Sequence, residues 1–393
     1  MHVKSAENNR SRSIKDNERN ASVGIIIFPL HKGSRQPLSN LINVIDNLSV
    51  SIKLVTGSIE KNLEVPVILG NLVHIDVYHE GGSNLVSRVL RYALTQLKLS
   101  IKLCILTKHT NTWIFFLGGE NLIIPMLTAK LLGKHVILTL GGSSAEIAKY
   151  CNDTYSKQML SLFRINASLA DSILVYSKSL IKSWQLEEYG SKIFIAREHF
   201  LDFNIFTVTV PLSDRPPLVG YTGRLSGEKG IQNFTRALPT ILSDRRDLRV
   251  LIGGDGPLKK AIATCLQEGA LSDRVDLPGW LSHDDLPRYL NQLRLLVLPS
   301  YTEGLPNIML EAMACGTPVL ATPVGAIPDV IIDGKTGFIM ENNSPECIAE
   351  NVTRALSSPD LDRIAEAGRR FVEENFTFEK TVENWKSILQ SNK

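Results

Sequence analysis

From Ser22 onward the chain alternates short, continuously apolar runs with longer amphipathic stretches, and it does so twice. Gly24-Ile25-Ile26-Ile27-Phe28 opens the first series. Further strands are predicted at 52–55, 65–69, 73–77, 113–117, 135–140 and 172–176, with helices at 38–48, 84–99, 121–132, 155–168 and 178–188. A strand that is apolar throughout must be covered on both faces, which selects a parallel sheet sandwiched between helices. The series restarts at 216–221 and continues with strands at 249–252, 295–299 and 318–321, spaced by helices around 230–241, 256–268, 283–292 and 307–314. The expected fold is α/β, two doubly wound Rossmann-like domains in tandem, with ligand held in the cleft where the carboxyl ends of both sheets face each other.

The 393 residues suffice for two such domains. Residues 1–20 read as a polar tail, 21–206 as the first domain, and 207–217 (TVTVPLSDRPP) as a linker. Residues 218–375 form the second domain, and 376–393 a terminal helix returning toward the first. A 44 % hydrophobic content excludes a disordered or collagenous chain. No apolar run reaches the roughly 18 residues of a membrane span. The start lacks the features of a signal peptide. Cys104, Cys151, Cys265, Cys315 and Cys347 contain no C-x-x-C pair, and the eight histidines lack metal spacing. A cytoplasmic protein without a metal or other cofactor is expected.

Charge is uneven. Residues 1–210 hold 23 Lys and Arg against 16 Asp and Glu, and the remainder 20 against 24. Between Glu80 and Glu120 there is no carboxylate, yet Arg88, Arg91, Lys98, Lys102 and Lys108 lie there. On a helix over 84–102, Arg88, Arg91, Lys98 and Lys102 fall within about 80° of one another. Leu85, Val89, Leu90, Ala93, Leu94, Leu97 and Ile101 occupy a broad opposite face, which is expected to pack against the sheet. The basic stripe is either a solvated face or a site for an anionic membrane or polyanionic acceptor, attached through charge alone. No nucleic-acid motif accompanies it.

Two motifs carry chemistry. Gly223-Arg224-Leu225-Ser226-Gly227-Glu228-Lys229-Gly230 sits between a strand and a helix, where free backbone N–H groups and two cations suit a diphosphate. The same residues would also serve as a glycine-rich turn. The second, Glu303-Gly304-Leu305-Pro306-Asn307, follows a strand, with Glu311 eight residues after Glu303. Glu303 falls in the loop and Glu311 within an apolar helix, where a buried carboxylate needs a partner; otherwise both acids merely complement a helix end.

The stretch EGLPNIMLEAMACGTPVLATPVGAIPDVI, preceded by GRLSGEKG and accompanied by LIGGDGPLKK, PGW and DGKTGFIM, closely resembles the nucleotide-sugar domain of family 4 retaining glycosyltransferases of the GT-B fold. The match is dense over 217–375. The resemblance implies that Arg224 and Lys229 hold the donor diphosphate, Glu303 the transferred sugar and Glu311 the ribose. Gly223, Pro306 and the backbone N–H groups of Gly304, Leu305 and Asn307 would shape the cradle, with Gly33 contributing from the first domain. UDP is the commonest donor nucleotide of that family.

Matches thin in the first half. Gly33-Ser34 offers one glycine where two are usual, and the strand ending at Leu140 leads into Gly141-Gly142-Ser143-Ser144 without the family's histidine. His199-Phe200-Leu201-Asp202 replaces Asn-Gly-Val-Asp; His199 reads as structural, and Asp255 as a turn and helix-cap residue. The expected activity is metal-independent, retaining transfer of a sugar to an acceptor hydroxyl on a lipid or envelope glycan at the inner membrane face. A nucleotide-sugar epimerase and a non-catalytic partner subunit remain as alternatives.

Overall fold

The computed structural model describes residues 22–30, 34–59, 70–142 and 156–390. The predicted strand at 65–69 and Gly33 lie outside the described residues. In the first sheet, strands β1 (Ser22–Leu30), β2 (Ser51–Ser58), β3 (Leu72–Tyr78), β4 (Thr112–Phe116), β5 (His135–Leu140), β6 (Ser172–Val175) and β7 (Ile193–Ile195) lie in the order β3-β2-β1-β4-β5-β6-β7. The second sheet comprises β8 (Leu218–Thr222), β9 (Arg249–Gly253), β10 (Val275–Gly279), β11 (Leu295–Leu298), β12 (Val319–Ala321) and β13 (Phe338–Ile339), ordered β10-β9-β8-β11-β12-β13. Every pairing in both sheets is parallel.

Helices α1 (Arg35–Asp46), α2 (Leu85–Leu106), α3 (Ile123–Leu131), α4 (Ser156–Leu169) and α5 (Lys178–Ser183) alternate with the first set of strands. Helices α6 (Ile231–Asp244), α7 (Lys259–Glu268), α8 (Leu286–Leu290), α9 (Asn307–Ala314), α10 (Pro345–Leu356) and α11 (Leu361–Asn375) belong to the second, and α12 (Phe378–Gln390) ends the described chain. Along β1, Ile26 faces one core while Ile25 and Ile27 face another. Along β11, Leu296 and Leu298 oppose Leu295 and Val297 in the same way. The continuous apolar runs are therefore two-sided strands. Strand order reverses between β1 and β4 and between β8 and β11, so each sheet has a switch point where a crevice opens.

The segment 207–217 lies against the second domain. Buried Arg215 donates to the carbonyls of Val210 (3.0 Å), Leu293 (2.9 Å) and Cys315 (2.7 Å) and to the Thr317 hydroxyl (2.7 Å). Thr209 N–H donates to Asn291 Oδ1 at 2.7 Å. Helix α12 returns to the first domain: Trp385 is buried and its Nε1 donates to the Arg197 carbonyl at 3.0 Å. The outgoing and returning chain cross side by side, Leu201 N–H donating to the Phe376 carbonyl at 2.9 Å and the Arg197 guanidinium lying 4.0 Å over the Phe376 ring.

Helix α2 departs from expectation. Its inward face is not the aliphatic one but Thr95, Gln96, Leu99, Ser100 and Leu103. Leu85, Val89, Leu90, Leu94, Leu97 and Ile101 are exposed. Hydrogen bonds decide the orientation. His79 Nδ1 and Thr95 Oγ1 lie 2.8 Å apart, the Ile124 N–H donates to Gln96 Oε1 at 3.0 Å, and Tyr92 donates its hydroxyl to the Asn121 carbonyl at 3.0 Å. Turning the helix would orphan these groups beneath it, and Leu99 and Leu103 supply enough apolar contact to seat it. A capping box between Asn84 and Ser87 sets its start.

Candidate donor site

Two loops meet at the switch point of the second sheet. The first leaves β8 at Gly223, passes a single 3₁₀ turn at Gly227–Lys229 and enters α6 through Gly230. Gly230 has φ +66°, and a Cβ there would run into the Pro299 carbonyl, so this position needs glycine to let the loop lie on its neighbour. The second loop leaves β11 and enters α9, with Pro306 as its N-cap. Tyr301 N–H donates to the Glu228 carbonyl at 2.9 Å, tying the loops together.

This tie brings Lys229 and Glu303 into contact. Lys229 Nζ lies 2.7 Å from Glu303 Oε1, which also accepts the Ser300 hydroxyl at 2.8 Å. Glu303 is nearly buried and Lys229 partly open. An ammonium has three donors, so a single bond to Glu303 leaves two N–H groups for an anion. Arg224 stands exposed and has no carboxylate partner among the described residues. Glu311 is buried on α9, and its nearest partner is His283 Nδ1 at 3.9 Å. Burial pushes its carboxyl up to about 7. Leu305 and Pro306 are buried at the loop end, while Gly304 and Asn307 are partly open.

The first domain reaches this loop at the end of β5. A Cβ on Gly142 would stand 3.1 Å from Gly304 N, and one on Gly304 only 2.7 Å from Gly142 N, so the domains meet backbone to backbone. Ser143 and Ser144 lie outside the described residues, as does Gly33. His199 is buried edge-on to Tyr176, with ring centroids 4.9 Å apart. Burial, aided by Arg197, lowers its imidazole to about 3, so it is neutral, and its ring hydrogen-bonds the backbone of Leu305 in the second loop. Asp255 accepts from the Gly256 N–H at 2.8 Å and from Lys259 at 3.2 Å; it shapes the turn, whereas the cap of α7 is Leu258.

Sequence reasoning missed Glu198. It is fully buried, accepts the Tyr176 hydroxyl at 2.8 Å and is pushed up to about 7 by desolvation. Nothing in the linear pattern places an acid beside a tyrosine twenty-two positions away. Arg88, Arg91, Lys98 and Lys102 lie on α2, on elements separate from the donor loops. Arg91 is paired with Glu80 at 2.7 Å, so the stripe is not free of acids as the sequence suggested. Among the described residues no group of three His, Cys, Asp or Glu side chains is placed to hold a metal, and no helix is long and apolar enough to cross a membrane.

Residues 206–371 match the model of the family described as glycosyl transferases group 1. Over these residues the second domain is similar to group 1 glycosyl transferases. Alpha-D-kanosaminyltransferase of Streptomyces kanamyceticus is 35 % identical over 156 residues, covering 39 % of this chain and 40 % of that protein. The chain thus spans under half the length of that relative. N-acetyl-alpha-D-glucosaminyl L-malate synthase of Bacillus anthracis is 24 % identical over 378 residues, 93 % of this chain and 96 % of its own. The fold of HepE from Anabaena, solved with UDP, superposes with a TM-score of 0.72 at 14 % identity, covering 95 % of this chain and 100 % of that one. Both domains of this chain therefore have the GT-B arrangement.

Proposed function

We propose that the protein is a retaining, metal-independent glycosyltransferase that moves a sugar from a nucleoside diphosphate to an acceptor hydroxyl. The observation that carries this reading is the Lys229–Glu303 pair at the sheet's switch point, with Arg224, exposed and without a carboxylate partner among the described residues, on the same loop as Lys229. In this reading the two cations neutralise the diphosphate, the role a divalent metal plays elsewhere. Glu303, held by Lys229 and Ser300 through one oxygen, offers the other to a hydroxyl of the transferred sugar. Glu311, one helical turn into α9, accepts from the ribose. No base is assigned to the acceptor proton; the leaving phosphate takes it, as the resemblance to family 4 implies. HepE binds UDP, which makes UDP the donor nucleotide we assign. We assign the acceptor to a lipid-linked or envelope glycan at the inner membrane face, a reading that the basic stripe of α2 supports.

The test pairs the two acids. Glu303→Gln should cut transfer far more than UDP affinity, and Glu311→Gln should weaken UDP binding as well, read by calorimetry and by turnover of a UDP-sugar. A charge-assisted hydrogen bond of about 1.5–3 kcal/mol corresponds to roughly ten- to hundred-fold in each quantity. NMR of the product should show the donor's anomeric configuration retained, and a chelator should leave the rate unchanged. Equal losses of UDP affinity in both variants, an inverted product, or an epimerised donor without acceptor would each defeat the reading.

A further inference from the structure

The outward face of α2 is aliphatic. Val86, Leu90, Leu94, Leu97, Ile101 and Ile105 recur at spacings of four, four, three, four and four, and each is 47 to 66 % exposed. They form one stripe along the helix, which at 22 residues is about 33 Å long. Helix α3, seated beside it through Tyr92 and Gln96, adds exposed Leu127 and Leu131. Water-soluble monomers rarely leave so long an apolar strip uncovered, and one that persists marks an interaction surface.

Charge identifies what covers it. Taking 100° per residue, the aliphatic stripe, the basic stripe and the buried face divide the helix circumference in three, with Arg88, Arg91, Lys98 and Lys102 along one border of the aliphatic strip. Arg91 is engaged by Glu80, and Arg88 donates to the Gly82 carbonyl at 3.3 Å. Lys98 and Lys102 have no ion pair among the described residues. The helix itself has no carboxylate. A second copy seated on the same seam would bring more cations, and at the stripe only Glu80, already engaged by Arg91, to meet them. An anionic bilayer supplies both requirements: acyl chains for the aliphatic strip and phosphate headgroups for its basic border.

We infer that α2 is a membrane-inserting helix, lying in the plane of an anionic leaflet with Leu90, Leu94, Leu97 and Ile101 among the acyl chains and Lys98 and Lys102 at headgroup level. This deepens the membrane placement proposed above and replaces attachment by charge alone with attachment by burial, steered by charge. The opposite face of the helix is already fixed to the first domain by Thr95, Gln96, Leu99 and Leu103, so insertion needs no unfolding.

The test is co-sedimentation of the whole chain with vesicles of phosphatidylcholine, alone or mixed with phosphatidylglycerol. Wild-type protein should bind the mixed vesicles and keep a substantial fraction bound in ~1 M salt, where the screening length falls to about 3 Å. Leu94→Gln/Ile101→Gln, both at exposed positions, should reduce partitioning about tenfold or more at either salt, since two aliphatic side chains no longer enter the acyl region. Its circular dichroism and UDP affinity should match wild type. Leu97→Trp should shift its emission to the blue on adding mixed vesicles. The inference is overturned if the double variant partitions like wild type, or if high salt releases all wild-type protein. It is also overturned if wild type ignores vesicles and instead forms a dimer, by sedimentation velocity, that the double variant dissolves. UDP binding and transfer report on the second domain, so failure of the transferase reading would leave the vesicle result standing.

Discussion

At the residue scale, what matters is how each charge is compensated. Lys229 is held by Glu303, whereas Arg224 waits in solvent. Arg224→Ala and Lys229→Ala should each raise the UDP dissociation constant, by about ten- to hundred-fold, as expected for a charge-assisted bond to phosphate. Lys229→Ala should also lower turnover further, because it frees Glu303; calorimetry and initial rates separate the two. Glu198 behaves differently. Its burial raises the carboxyl from 4.5 to about 7, so across that window the folded chain holds more protons than the unfolded one. Stability therefore falls as pH rises through it. Glu198→Gln, which can still accept from Tyr176, should remove its share of this slope, leaving that of Glu311, and stabilise the protein at pH 8 by about 1–3 kcal/mol. Thermal melts at pH 5 and pH 8 check it: the curves should converge at the lower pH and part at the higher. Arg224, Lys229, Glu303 and Glu311 were singled out in the sequence because they fall in two short motifs that follow predicted strands, and the structure brings Lys229 and Glu303 of those motifs together. Glu198, meeting Tyr176 only through the packing of β6 and β7, was not.

At the scale of elements, the runs of β1, β4, β5, β8 and β11 announced themselves by continuous apolarity. The short strands did not: β7 has three residues, β13 two, and β10 contains Pro278, a residue that reads as a turn. Helix α2 was found but faced the wrong way, because apolar periodicity assumes that the most hydrophobic face turns inward. Here Thr95 meets His79 just past β3 and Gln96 accepts from Ile124 of α3, and that assumption fails. The segment 207–217, read as a linker, lies against the second domain, and its Pro and Thr content hides what one arginine does there. Arg215→Met should cost roughly 2–4 kcal/mol by leaving the Leu293 and Cys315 carbonyls without their donor in a buried site. The drop in urea midpoint measures it.

At the scale of the molecule, α12 ends the described chain on the domain that begins it. Trp385→Ala should destabilise the first domain by about 3–5 kcal/mol through the cavity left at a fully packed indole. The second domain's unfolding should stay in place, so two transitions should separate where wild type shows them closer. The same return path has a mechanical consequence. Two bodies joined by one strand can swivel, slide and twist, whereas these are joined by two, pinned to each other at Leu201 and Phe376. A slide or a twist would pull the two crossings in opposite directions and break that bond. The soft motion left is a swing about the line through the crossings, like a door on paired pins. It opens and shuts the gap between Gly142 and Gly304 while leaving Lys229, Glu303 and Arg224 fixed relative to one another.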